Sequence, residues 1–183
     1  MRTCILLIAV ITLSTAASKK DNPSRADQII GTRDEPLQIT WFQHKKIPWT
    51  HSHEGLFKAD TYSWQCYPTI AQTFKRDKKG LLWNLTFDGP QDYGVTRSVV
   101  VTVDGELIEL PEIDWKSFRG LGGTDVLKAS LTGQEILIRK IAGAKEVWIT
   151  ILGSPRHSIK LSEQQVQIFA EIILRYDSLE PNP

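Results

Sequence analysis

Val99, Val101 and Val103 recur at every second position and run straight into Asp104-Gly105, after which Glu106-Leu107-Ile108-Glu109-Leu110 resumes an extended pattern. Asp-Gly between two such runs specifies a two-residue hairpin, because both turn residues must take positive φ. A loop of that length fixes the register. Val103 faces Glu106, Val101 faces Ile108 and Val99 faces Leu110, so one face of the pair is apolar. A sheet built from such a pair is antiparallel and one-sided, unlike the doubly covered parallel sheet of βαβ proteins.

The rest of the chain is read around that hairpin. Leu37–Phe42 fits a strand. From Thr61, apolar Tyr62, Trp64 and Cys66 alternate with polar residues, which predicts a strand with one buried face. Lys75–Gly80 is a charged turn, and Leu81–Phe87 places Trp83, Leu85 and Phe87 on one side. Trp115 and Phe118 fit a short strand or turn. Thr124 reads as an N-cap, with Asp125–Thr132 as a short helix closed by Gly133. Glu135–Ile141 and Glu146–Leu152 read as strands, and Arg156–Lys160 as an edge strand.

Near the end, Ser162 and Gln165 form a capping box. Val166, Phe169, Ile172, Ile173 and Tyr176 follow at helical spacing. The fold class is mainly β (α+β): an antiparallel β-sandwich or curled sheet, with a short helix and an amphipathic C-terminal helix packed on it.

Residues 1–17 have the order of a secretory signal. Met1-Arg2 is a short basic start, Cys4–Leu13 an uncharged apolar run, and Ser14–Ala17 a small-residue cleavage site. The apolar run spans about 15 Å as a helix, against roughly 30 Å of bilayer hydrocarbon, so a cleaved signal is the better reading than an anchor. Residues 18–36 are polar and breaker-rich and read as a flexible leader, followed by one β-rich domain over 37–183. The expected location is secreted or periplasmic, with no membrane span after cleavage.

The formal charge of the whole chain is +1, and loss of Arg2 with the signal leaves acids and bases in balance. That speaks against nucleic acid as a partner. Of the two cysteines, only Cys66 lies outside the signal, so no intramolecular disulfide is expected. Burial is the expected state of that thiol.

The chemistry-bearing residues are few. His44, His51 and His53 cluster near Glu54, and His51-x-His53 places two imidazoles on one side of an extended segment. They are the candidate ligands for a divalent metal. Lys45 and Lys46 oppose a cation there. Of six tryptophans, Trp64 and Trp83 fall on apolar faces and are expected in the core, while the face of Trp148 is ambiguous. Trp41 and Trp49 lie in an irregular stretch and are the candidate ligand-binding aromatics, suited to stacking on sugar rings.

Gly120–Asp125 lacks the lysine of a phosphate-binding loop. The carboxylates Asp104, Glu106, Glu109, Glu112 and Asp114 read as a solvated edge that discourages strand pairing. Asn84-Leu85-Thr86 is a glycosylation sequon on the face opposite Trp83. Neither Gly-x-Ser-x-Gly nor His-Glu-x-x-His occurs. The sequence points to no catalytic residues and no cofactor. It favours an exported, non-enzymatic module that binds a protein or an envelope or matrix component, with a glycan or metal module as the alternative.

Overall fold

The structure, a computed structural model, describes residues 28–53, 61–90, 98–119, 124–152 and 157–179. The signal-like segment, the first part of the leader and the glycine loop 120–123 lie outside the described residues.

The Asp-Gly hairpin pairs β6 (Ser98–Val103) with β7 (Glu106–Glu109), Val103 opposite Glu106 and Val101 opposite Ile108. Leu110 N–H donates to the Val99 carbonyl at 2.9 Å, which extends the ladder as the register requires. Asp104 and Gly105 sit at φ 48° and 88°, the left-handed values such a turn needs. Asp104 does more than turn the chain. Its Oδ1 accepts the backbone N–H of Lys145 (2.9 Å) and Glu146 (2.8 Å), tying the hairpin to the chain entering β10 (Val147–Leu152). Beyond β10 lies β11 (His157–Lys160), completing a four-stranded sheet in the order β11-β10-β6-β7.

The larger sheet is built on two long strands, β4 (Thr61–Thr73) and β5 (Lys79–Pro90). They pair from Ser63 opposite Asp88 to Gln72 opposite Lys79. The tight turn between them is held by Thr73 Oγ1 donating to Asp77 Oδ1 at 2.5 Å. The other edge of β4 is shared. β2 (Ile39–His44) pairs with residues 70–73, and β3 (Thr50–His53) with residues 61–64. Pro68 falls between the two, where its missing N–H breaks no ladder on that edge. β1 (Ile29–Asp34) pairs with β2, correcting the reading of residues 18–36 as wholly flexible leader. Arg33 and Asp34 disguise it, but Ile29 packs against the core.

Two adjoining assignments are reversed. Residues 125–132, read as a helix, fall almost entirely on β9 (Thr124–Leu131). Residues 135–141, read as a strand, belong to α1 (Glu135–Ala142). Leu127, Ala129 and Leu131 lie opposite Phe87, Leu85 and Trp83, so the free edge of long β5 captures this segment. That pairing outweighs a local pattern that suits a short helix equally well. In α1, Leu137, Ile138 and Ile141 are buried and Ile136 points to solvent, a helical stripe rather than an alternation. Gly133, at φ 71°, turns the chain between the two instead of capping a preceding helix. The last strand, β8 (Lys116–Arg119), pairs with β9.

The fold is thus mainly antiparallel β with two helices and with sheets that do not close. The C-terminal helix, α2 (Glu163–Ser178), carries the capping box expected of it. Ser162 Oγ accepts from Gln165 N–H at 3.3 Å, and Gln165 Oε1 accepts from Ser162 N–H at 2.8 Å. The other end of the buried Gln165 amide donates to Thr50 Oγ1 of β3 at 2.8 Å. Ile168, Phe169, Ile172 and Tyr176 are buried, with Phe169 edge-on to Trp83 at 6.4 Å between ring centres. One apolar cluster draws on both sheets and both helices, including Trp64, Trp83, Val101, Ile149, Ile138 and Phe169.

Candidate functional site

Strand alternation separates the histidines. His44 shares the inner face of the larger sheet with Phe42. Its Nε2 lies 3.2 Å from Glu171 Oε2 of α2, and its Nδ1 lies 2.8 Å from the Lys46 carbonyl. Glu171 Oε2 makes no well-formed hydrogen bond, although His44 lies within ion-pair distance. His51 sits opposite Ser63 on the outer face, exposed, with Nδ1 2.8 Å from Ser63 Oγ. One metal ion cannot be held by side chains on opposite faces of a sheet, so His44 does not belong with His51. His53 occupies an outer-face register position opposite Thr61. Among the described residues, no group of three or more His, Cys, Asp or Glu is placed to hold a metal ion.

The two candidate aromatics also differ. Trp41 lies on the outer face of β2, opposite Thr32 and Ala71, and is half-buried. Trp49 precedes β3 and is 43% exposed. Gln65 Nε2 donates to the Ile47 carbonyl at 3.1 Å and pins the connection that carries Trp49. Farther across the same face, Asn84 of the sequon is engaged at both ends of its amide. Nδ2 donates to Thr69 Oγ1, and Oδ1 accepts from Ser130 Oγ, each at 2.7 Å.

Cys66 is buried, and Trp83 Nε1–H donates to its Sγ at 2.8 Å. Burial pushes the thiol up to about 12 from the ordinary 9.0, against the smaller opposing effect of that hydrogen bond. A thiol so placed is neutral and inert, not a nucleophile. Two members of the carboxylate run hold the fold. Asp104 binds backbone amides, and both oxygens of Glu106 lie 2.7 Å from Lys140 Nζ on α1. β7 is an edge strand, as the charge pattern predicts.

The surface that stands out is the outer face of the smaller sheet. Its inner face is closed by Val99, Val101, Val103, Val147, Ile149 and Ile151. Register then fixes what points outward. Leu107, Thr102, Trp148 and Lys160 form one row across all four strands, and Glu109, Val100, Thr150 and Ser158 form the next. Leu152 lies opposite Ser98 beyond them. Leu107 is 63% exposed, Leu152 40% and Trp148 37%, whereas Val100 and Thr150 on the same face are buried. Lys160 Nζ sits 5.7 Å from the Trp148 ring centre and pairs with Glu146 at 2.5 Å.

Sequence reasoning left Trp148 ambiguous and passed over Leu107 and Leu152. The signal was present in the hairpin. Once Val101 and Ile108 are inward, Leu107 must point out, and a leucine on the solvated side of an edge strand has no folding reason to be there.

No family model matches the chain, and no curated protein matches it. Among solved structures, the crystal structure of invasion associated protein B from Bartonella henselae is similar at a TM-score of 0.34 and 14% identity, over 74% of this chain and 96% of that one. A likeness at that level carries no argument about activity.

Proposed function

We propose that this chain is an exported, non-enzymatic binding module that docks a protein partner through the outer face of its four-stranded sheet. The observation that carries the reading is the exposure of Leu107, Trp148 and Leu152 on one sheet face whose register is set for folding by the opposite side. Large apolar side chains exposed on one face are what a partner buries, and tryptophan is a common anchor. Export is supported by the basic, apolar and small-residue order of residues 1–17. The mature N-terminus read by mass spectrometry is expected at Ser18.

The docking reading is tested with the paired variant Leu107→Ser/Leu152→Ser. Both sites are exposed, so stability should change by no more than about 0.5 kcal/mol. Retention of a defined envelope or extracellular protein by the immobilised chain should fall at least about tenfold. Equal retention by variant and parent overturns the reading.

A second reading rests on the exposure of Trp49. It is a glycan surface using Trp49 and Trp41. Saturable oligosaccharide binding that disappears in Trp49→Ala, with the melting temperature unchanged, is the result it predicts.

A further inference from the structure

His44 and Glu171 are both buried, at 8% and 7% exposure, and their side chains join the end of β2 to α2. The Glu171 carboxylate is divided. Oε1 accepts from Gln167 Nε2 at 2.9 Å, while Oε2, with no hydrogen bond of its own, has His44 Nε2 beside it at 3.2 Å. On the other side of the ring, Nδ1 meets two groups of one residue. The Lys46 carbonyl oxygen lies 2.8 Å away and the Lys46 backbone nitrogen 3.2 Å away. The carbonyl requires a proton on Nδ1 and the N–H requires a lone pair there, so one state of the ring cannot satisfy both.

The number of ring protons selects the partner. An imidazolium has one for each side, Nδ1–H for the Lys46 carbonyl and Nε2–H for Glu171. A neutral ring has one in all. The Glu171 carboxylate is buried and Lys46 is exposed, so water can replace the ring at the Lys46 carbonyl but not at Glu171. Stranding a buried carboxylate oxygen costs more than handing an amide carbonyl to water. The last proton therefore stays on Nε2, and Nδ1 turns from donor to acceptor.

Among the described residues, Glu171 is the carboxylate that faces this ring. From α2, Arg175 lies one turn beyond Glu171 with its guanidinium 5.2 Å from the Phe42 ring centre. From β1, Ile29 stands opposite His44, and Arg33 lies farther along the same face against Phe74. On the inner face of β4, Cys66 is a buried, neutral thiol. Lys45 and Lys46, in the connection that leaves β2, are exposed.

We propose that His44 is a proton-operated switch for the connection between β2 and β3: when Nδ1 gives its proton to solvent, the ring releases the Lys46 carbonyl and takes the Lys46 N–H, while Nε2 stays on Glu171. Two lone pairs 2.8 Å apart repel, so the peptide group between Lys46 and Ile47 must turn away. The connection is fastened on either side of it. Lys45 N–H donates to the Gln28 carbonyl at 2.7 Å, and Gln65 Nε2 donates to the Ile47 carbonyl at 3.1 Å. The change is thereby confined to Lys46 and Ile47, just before Trp49. Histidine is the side chain that ordinarily changes charge between about pH 5 and 8. The switch is independent of the docking face on the other sheet.

Nuclear magnetic resonance of the purified chain, titrated from about pH 5 to about pH 9, tests it. The His44 ring and the Lys46 and Ile47 amides should titrate together, with one midpoint. In Glu171→Gln the carboxamide can donate to Nε2, so the neutral ring keeps its proton on Nδ1 and its bond to the Lys46 carbonyl. His44 should still titrate there, but the pH-dependent shifts of the Lys46 and Ile47 amides should fall at least about threefold. His51, exposed on the outer face, is the internal control and should titrate alike in parent and variant. In His44→Gln both amides should be flat. The proposal is overturned if the His44 ring does not titrate in this range, or if the two amides do not follow it in the parent. It is also overturned if they follow it undiminished in Glu171→Gln, or if they still respond in His44→Gln, which would trace the response to another group.

Discussion

Two residues show how single side chains hold this fold. Cys66 has its ionisation pushed up by burial, from 9.0 to about 12. At pH 8 only about one folded thiol in ten thousand is ionised. Thiol-specific alkylation of the native chain should therefore be slow and become fast at the denaturant concentration where the fold is lost. The sign for stability follows. The raised folded value means the thiol's contribution is complete below about pH 9 and is lost as pH rises toward 12. Alkaline unfolding of Cys66→Ala should shift to higher pH relative to its own neutral-pH stability; an unshifted transition contradicts this.

Asp104 combines a left-handed backbone with two accepted hydrogen bonds across to the start of β10. Asp104→Ala should cost about 2 kcal/mol, lowering the melting temperature by roughly 4–8 °C. Asp104→Asn keeps both the turn preference and the acceptor, so calorimetry should find it milder.

At the scale of elements, helix α1 is fastened to α2 through Arg139. Its guanidinium binds both Asp177 oxygens, at 3.0 and 2.6 Å, and Glu135 at 3.0 Å. The Arg139 hydrogen bonds hold the Asp177 carboxyl below its ordinary range. Stability from that pair is therefore present above the usual carboxylate range and lost as pH falls through the depressed value. Because the pair is half-exposed, Asp177→Asn should cost no more than about 1 kcal/mol near neutrality, and less in high salt. Urea titrations at two ionic strengths check both statements.

The same scale shows what the sequence carried. The hairpin register, the two aromatic strands and the capped terminal helix were legible because each is determined by neighbours a few residues away. The swap of helix and strand over 124–142 was not. β9 exists because β5 extends far enough to need a partner there, information stored some forty residues upstream. β1 was hidden for a related reason, since its outward residues are charged and only its pairing with β2 makes it a strand. Of the site candidates, alternation alone places His44 and His51 on opposite faces, but only once the strand boundaries are known.

Across the whole molecule, the chain passes from the larger sheet to the smaller, back again, and through α1 to the smaller once more before α2 closes the core. Both sheets and both helices contribute to one apolar cluster. Phe169→Ala, which removes a fully buried ring against Trp83, should therefore cost about 3–5 kcal/mol and loosen both sheets together in hydrogen exchange. Loss of protection confined to α2 would contradict a single core.

With the inner face of the smaller sheet committed to that core, the proposed docking face is its outer one. A photoreactive amino acid at position 107 or 152, set against a control at Lys128 on the outer face of the larger sheet, tests this most directly. Irradiation in the native extracellular or envelope fraction should give one discrete adduct from 107 and from 152, with the same partner in both, and none from 128. The same adduct from all three positions, or from 128 alone, would contradict the docking face.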